Sequence, residues 1–167
     1  MSFRPMTHKD AELLAGWIPQ VPLWQRYGLT SERAFSLLLG GLDAGDVLPV
    51  AVLEGDWIPA GFAWVLPRGA FGRSPYLRWF GIRPGLHGQG LGSSLLAHVE
   101  LLAAEHGREL FLLAADFNIE AQRFYIRHGY VQAGTLPDYV VPGVGELLYF
   151  KRLEARAEPD NTTSTSE

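Results

Sequence analysis

From Ile82 to Leu96 the chain reads Ile-Arg-Pro-Gly-Leu-His-Gly-Gln-Gly-Leu-Gly-Ser-Ser-Leu-Leu, with glycines at 85, 88, 90 and 92. An apolar segment stops at Pro84 and an apolar-periodic one starts at Leu91. The glycines therefore form a turn between a strand and the N-terminus of a helix. The first N–H groups of that helix have no partner within it, and the helix dipole puts its positive end at the same point. Backbone without Cβ atoms lets an anion approach those donors closely. The chemistry this supports is binding of a phosphate or pyrophosphate, and so of a nucleotide-like cofactor. A P-loop would place a lysine directly before the Ser/Thr, but Gly92 precedes Ser93. A dinucleotide fingerprint would need a small apolar residue where Ser93 stands, and it would open a domain. This turn instead follows several strands.

The elements that must hold the turn can be read from periodicity and punctuation. Phe3-Arg-Pro is a short strand. Thr7, with Asp10 three residues on, forms a capping box that opens a helix carrying Leu13, Leu14, Trp17 and Ile18 as far as Pro19. Residues 19–28 are a linker containing Trp24, Arg26 and Tyr27. A second helix starts at Thr30/Ser31 and puts Phe35, Leu38, Leu39 and Leu42 on one side. Strands follow at 50–53 and 58–66, with Glu54-Gly-Asp56 as their hairpin turn. Residues 67–75 are a loop, and 76–82 are the strand that leads into the glycine turn. The next helix runs for about five turns, to Gly107, with Leu91, Leu95, Val99 and Leu102 at helical spacing. Residues 110–115 are apolar throughout, as in a buried central strand. Residues 118–128 are a helix closed by Gly129. The closing strands, 130–135 and 147–153, are joined by a loop over 136–146.

The order β-α-α-β-β-β-α-β-α-β-β predicts an α/β fold: a mixed, mostly antiparallel central sheet with a β-α-β cofactor-binding core. It predicts a single domain over 1–153. The tail, 154–167, has Pro159, a Thr/Ser cluster and no large apolar residue, and is expected to be disordered.

Composition narrows the function. A hydrophobic fraction of 47% in 167 residues can bury a core. The net charge of −4 gives no electrostatic ground for binding nucleic acid or an anionic membrane. Without cysteine there is no thiol catalysis, disulfide or thiolate metal site. His8, His98, His106 and His128 show no metal spacing with carboxylates, and no metal is expected. Lacking a signal peptide or a spanning stretch, the chain is expected to be cytoplasmic, as a monomer or homodimer.

Two segments carry a resemblance. One is Ile82-Arg-Pro84 followed by His87-Gly88-Gln89-Gly90-Leu91-Gly92. The other is Asn118-Ile-Glu-Ala121-Gln-Arg-Phe124-Tyr125-Ile-Arg-His-Gly129-Tyr130. In this order, separated by one apolar strand, they resemble the two signature segments of the GCN5-related N-acetyltransferase (GNAT) family. The resemblance implies acetyl-CoA as acyl-donor substrate. Its contacts would be Phe80, Ile82, His87, Gly88, Gln89, Gly90, Leu91, Gly92, Ser93 and Asn118. The Ile82 N–H would polarise the acetyl carbonyl. Tyr125 would be the general acid that protonates the departing thiolate.

The family usually has Arg or Gln where His87 stands. A neutral imidazole there makes cofactor binding pH-dependent. The resemblance also puts Trp24, Tyr27 and Tyr139 at the acceptor site. Arg78, taken by strand alternation to face the same side as Phe80, would hold an acidic group on the acceptor. Between Trp57 and Val99 there is no acidic residue, so the general base stays open among Glu54, Asp56, Asp138 and ordered water. The implied reaction is acetyl transfer from acetyl-CoA to a primary amine, of a small molecule or a protein N-terminus, by direct attack in a ternary complex. The alternative is a non-catalytic acyl-CoA-binding or regulatory module on the same fold.

Overall fold

The computed structural model describes residues 1–154; the tail expected to be disordered lies, from residue 155 on, outside the described residues. Seven strands form one sheet in the order β1-β2-β3-β4-β5-β7-β6. They are β1 (Ser2–Pro5), β2 (Pro49–Val52), β3 (Gly61–Ala70), β4 (Ser74–Ile82), β5 (Glu109–Ala115), β6 (Val131–Pro137) and β7 (Gly145–Arg152). The helices are α1 (His8–Trp17), α2 (Pro22–Arg26), α3 (Ser31–Asp43), α4 (Leu91–Ala103) and α5 (Ile119–Arg127). Every neighbouring strand pair is antiparallel except β4 and β5. That one parallel pair is joined by α4, as a parallel crossover requires. No helix among the described residues is long and apolar enough to cross a membrane.

Each face of the sheet is covered by its own apolar cluster. Leu91, Leu95, Leu96 and Val99 of α4, with Tyr125 of α5, pack on Val65, Leu77, Leu110, Leu112 and Tyr149. On the other face Leu14 of α1 and Ala34 and Leu38 of α3 pack on Val50, Phe62 and Trp64. The capping box that opens α1 is present. Thr7 Oγ1 accepts from the Asp10 N–H at 3.2 Å, and the Asp10 carboxylate accepts from the Thr7 N–H at 2.8 Å.

Asp10 is only 2% exposed and also takes two hydrogen bonds from Arg4, at 2.5 and 2.9 Å, tying α1 to β1. Burial by itself would raise its carboxyl. The Arg4 and Thr7 hydrogen bonds outweigh that, and its pKa stands below the ordinary value. The folded state therefore holds the Asp10 proton less tightly than the unfolded chain. The associated stability is complete above the ordinary carboxylate range and is lost as the pH falls below about 4. Asp10→Asn is expected to cost about 2 kcal/mol at pH 7 and much less at pH 3, as read from urea melts at both pH values. An equal loss at both would contradict this account.

Several elements depart from the sequence expectation. Residues 67–75 are not a loop: β3 continues to Ala70, β4 starts at Ser74, and a tight turn at 71–73 joins them. Pro67 is accommodated where the register shifts between Leu66 and Ala70, an irregularity in which its missing N–H breaks no ladder bond. Glu54-Gly-Asp56 does not close a tight hairpin. Val50 pairs with Phe62 and Ala51 with Gly61, so the whole of 53–60 is connection, pinned by the Arg83–Asp56 ion pair. The helix after the glycine turn has 13 residues and ends at Ala103 rather than near Gly107. α1 ends at Trp17, and in place of an unstructured linker over 19–28 there follow a 3-10 turn, Ile18–Gln20, and the short α2.

Candidate active site

The sheet splits between β4 and β5. The two strands pair at Tyr76↔Phe111 and Leu77↔Leu112, and their pairing ends there. β5 stays paired with β7 as far as Ala115↔Glu146, and β4 with β3 as far as Ile82↔Gly61. The cause is a β-bulge. Trp64 opposes Trp79 and Val65 opposes Leu77, which leaves Arg78 as an extra residue that bends β4 away from β5. The result is a fork walled by β4 from Arg78 onward and by β5 from Leu113 onward.

The backbone of β4 is turned towards this fork at the residues named from sequence. Arg83 N–H donates to Ala60 O at 2.8 Å, on the β3 side. Backbone groups of successive strand residues point to opposite edges, so the polar groups of Ile82, and of Phe80 two residues earlier, point into the fork. Both side chains pack on the α4/α5 face, as their spacing predicts.

The glycine turn lies at the open end of the fork. Gly85, Gly88 and Gly90 have φ of +88°, +78° and +75°, a region in which Cβ-bearing residues are strained. Gly90 is the N-cap of α4 and brings no side chain to cap it, which leaves the first N–H groups of the helix free. A Cβ on Gly88 or Gly90 would meet nothing within 4 Å, so the space over the turn is open. Leu91 is buried and anchors the turn to the core, while His87, Gln89 and Ser93 are exposed. Gly92 differs from the others: a Cβ there would make ordinary contact with Phe124 at 3.5 Å.

His128, read from sequence as surface or structural, is drawn in here. Its Nδ1 donates to Phe124 O at 2.7 Å, which leaves Nε2 to accept from the Ser93 hydroxyl at 3.0 Å. Asn118 is the N-cap of α5, its side-chain oxygen accepting from the Ala121 N–H at 3.2 Å. This keeps its amide N–H₂ free to donate.

Tyr125 projects from α5 beneath the fork, between Phe80, Phe124 and Tyr130, with ring centroids 6.4, 5.3 and 5.5 Å away. Its ring is 8% exposed. The hydroxyl has no protein hydrogen-bond partner among the described residues, yet it is not a sealed atom, so it reaches open space. Burial first, and then the nearby Tyr76, push its pKa well above the ordinary tyrosine value.

A second group of residues lies on the opposite face, where α2 packs. Tyr27 donates a short hydrogen bond to Glu146 Oε1 and lies beside Phe117, centroids 6.4 Å apart. Arg26 stacks over Phe117, its guanidinium carbon 3.7 Å from the ring centre. Burial pushes the Tyr76 hydroxyl up to about 12, and the charges of Glu146 and Tyr139 act in the same direction.

Arg78 corrects the sequence reading. Because it is the bulged residue, strand alternation fails at this point. Its guanidinium lies 4.4 Å over the Trp64 ring on the α1–α3 face, while Phe80 packs on the α4/α5 face. Trp24 is 7% exposed, buried among Trp17, Phe62 and Trp79 as core. Tyr139 is 64% exposed, in the turn that closes where Asp138 Oδ1 accepts from Gly143 N–H at 2.6 Å. Asp138 is thereby engaged as a loop clasp, and Asp56 is paired with Arg83.

Glu146 was not singled out from the sequence, where it reads as the last residue of a loop. The available signal was an acidic residue heading an otherwise apolar strand, Leu147 to Phe150. That signal acquires meaning only when Glu146 is seen opposite Ala115 at the mouth of the fork.

This architecture recurs in known structures. A ribosomal-protein-alanine N-acetyltransferase from Brucella melitensis superposes with a TM-score of 0.74 at 21% identity, covering 92% of this chain and 100% of that one. An aminoglycoside 6'-N-acetyltransferase complexed with coenzyme A gives 0.75 at 12% identity, covering 95% and 100%. The Salmonella typhimurium protein yncA, solved with acetyl-CoA, gives 0.73 at 17%, covering 96% and 98%. At these identities the likeness speaks for the fold. The family is given by a separate comparison, in which the acetyltransferase (GNAT) domain model matches residues 45–132. That match takes in both walls of the fork, the glycine turn and α5, more than half of the chain, which therefore belongs to the acetyltransferase (GNAT) family.

Proposed function

We propose that this enzyme transfers acetyl from acetyl-CoA to a primary amine, of a small molecule or a protein N-terminus, by direct attack within a ternary complex. The observation that carries this reading is the fork, which has free backbone groups of β4 on one wall and the Tyr125 hydroxyl below it. The residues fit the donor. The open N-terminus of α4 and the Cβ-free turn suit the pyrophosphate, with Gly88, Gly90, Leu91, Gly92 and Ser93 offering N–H groups and His87, Gln89 and Asn118 their side chains. The unpaired edge of β4 suits the amide-bearing arm, bonded through Phe80 and Ile82, and the Ile82 N–H is the donor to the thioester oxygen. Tyr125 protonates the leaving sulfur. Arg78, Tyr27 and Tyr139 border the acceptor. Related folds are named for both acceptor types, a protein alanine and an aminoglycoside amine.

The test is thiol release from acetyl-CoA against a panel of amines, N-terminal peptides and aminoglycosides. Release with at least one class supports the proposal. Tight acetyl-CoA binding with no release from any of them overturns it in favour of a binding module. His87→Ala is expected to weaken acetyl-CoA binding about tenfold at pH 6, the size of a hydrogen bond to a charged group, measured by titration calorimetry. An unchanged Kd removes His87 from the contacts.

A further inference from the structure

We propose that Glu146 receives the ammonium group of the acceptor and takes its proton, so that the acceptor is an amine that arrives positively charged. This rests on the amine-transfer reading above and supplies the base that reading lacks.

Glu146 carries an uncompensated charge. Glu146 is 4% exposed, at the start of β7. Among the described residues it forms no ion pair; its hydrogen-bond partner is the neutral hydroxyl of Tyr27. Arg26 and Arg78, which act on Tyr27 and Tyr76, lie over the Phe117 and Trp64 rings, and neither forms an ion pair with Glu146 among the described residues. Asp116, just past β5, adds a second negative charge, and its Oδ2 accepts from the Gly145 N–H at 2.8 Å. A buried carboxylate with no cation is costly, and a ligand ammonium supplies the missing partner.

Its position suits the role. Leu147 and Tyr149 pack on the α4/α5 face, so Glu146 projects to the other face with Tyr76 and α2. The glycine turn and Tyr125 belong to the donor side of the fork, and Glu146 to the opposite side. Tyr76 is within electrostatic reach of both Tyr125 and Glu146. Base and acid thus stand across the fork from each other, on the two sides from which acceptor and donor would meet.

The groups that face Glu146 are Tyr27 at the C-terminal cap of α2, Tyr76 from β4 and Asp116 beyond β5. Burial raises its carboxyl above the ordinary range, the Tyr27 hydrogen bond opposes this, and Asp116 adds to it. A raised carboxyl is a better match to a base working near neutral pH.

The ammonium gives one proton to the Glu146 carboxylate and becomes a free amine. The nitrogen lone pair forms the C–N bond at the thioester carbon. As the C–S bond breaks, its electron pair goes to sulfur, which takes the Tyr125 proton, and Tyr125 is reprotonated from the nitrogen. The proton left on Glu146 goes to solvent.

The test uses Glu146→Gln, which keeps an oxygen for the Tyr27 hydroxyl. With a charged alkylamine acceptor, kcat/KM at pH 7 is expected to fall about 100-fold and the acidic limb of its pH profile to move up to the deprotonation of the amine itself, with acetyl-CoA affinity unchanged. With a hydrazide or arylamine acceptor, which arrives uncharged at pH 7, the same variant is expected to act at near the wild-type rate. Tyr27→Phe provides an independent reading: losing a hydrogen bond that stabilises the carboxylate moves the acidic limb to higher pH. An equal loss with charged and uncharged amines, or an unchanged profile in both variants, overturns the proposal while the wild type still acetylates amines. No amine acetylated by the wild type overturns both this and the amine-transfer reading.

Discussion

Tyr125→Phe is expected to lower kcat by about 100- to 1,000-fold and to leave the Kd for acetyl-CoA within about twofold. The substitution deletes one oxygen from a ring whose packing partners, Phe80, Phe124 and Tyr130, touch its carbon framework. No protein hydrogen bond is lost, because the hydroxyl has no protein partner among the described residues. Melting temperature should therefore barely change, which separates this variant from a folding defect. The hydroxyl is suited to giving a proton and poorly suited to being a base. Burial, reinforced by Tyr76, holds its pKa far above neutrality, so it stays protonated across the working range. A thiolate leaving group has a conjugate-acid pKa of about 8.5, and a positioned phenol can protonate it as the C–S bond lengthens. Pre-steady-state measurement of thiol release, with calorimetry for acetyl-CoA, reads the two quantities separately. Turnover equal to wild type would remove Tyr125 from the mechanism; a parallel loss of binding and turnover would make it a packing residue.

Gly81→Ala is expected to cost about 2–3 kcal/mol, a fall in Tm of roughly 5–10 °C, and to raise the KM for acetyl-CoA. The cause is space. A Cβ on Gly81 would lie 2.6 Å from Trp24 Cη2 and 2.8 Å from Phe62 Cε1. Neither ring can yield cheaply. The Trp24 ring packs against Trp17, Phe62 and Trp79, all within 6.4 Å between centroids. Relief must come from β4 itself, and Gly81 lies between Phe80 and Ile82, the residues whose backbone groups face the fork. Stability and donor binding are thereby coupled at one position. Thermal melts and acetyl-CoA titration on the same sample test it. A Tm unchanged within 1–2 °C would show that the aromatic cluster relaxes more easily than its packing implies.

The parts of the site that were legible in the sequence are those carried by local chemistry. The glycine turn, the α4 N-terminus after it and the Asn118-capped helix bearing Tyr125 each follow from residues within a dozen positions of one another, because caps, positive-φ glycines and helical spacing are local rules. The resemblance to the family rests on the same segments. Phe80 and Ile82 share a face as their spacing requires, since no irregularity falls between them.

The remainder depended on which segments meet in space. One extra residue in β4 reverses the facing of Arg78 and opens the fork, and nothing in Tyr76-Leu-Arg-Trp-Phe80 marks which residue will be extra; the pairing with Trp64 and Val65 on β3 decides it. Trp24 looked like an acceptor contact and is core, because Gly81 on a distant strand leaves room for its ring. Glu146 became a candidate base only through Tyr27, 119 positions earlier, and through the end of β5. The sequence by itself determined the glycine turn, the helix that carries Tyr125 and the class of fold, since short-range geometry and hydrophobic periodicity settle those. Only the tertiary structure decided where the sheet splits, which arginine faces which side and which carboxylate is left buried without a cation, because register and desolvation are properties of contacts between remote segments.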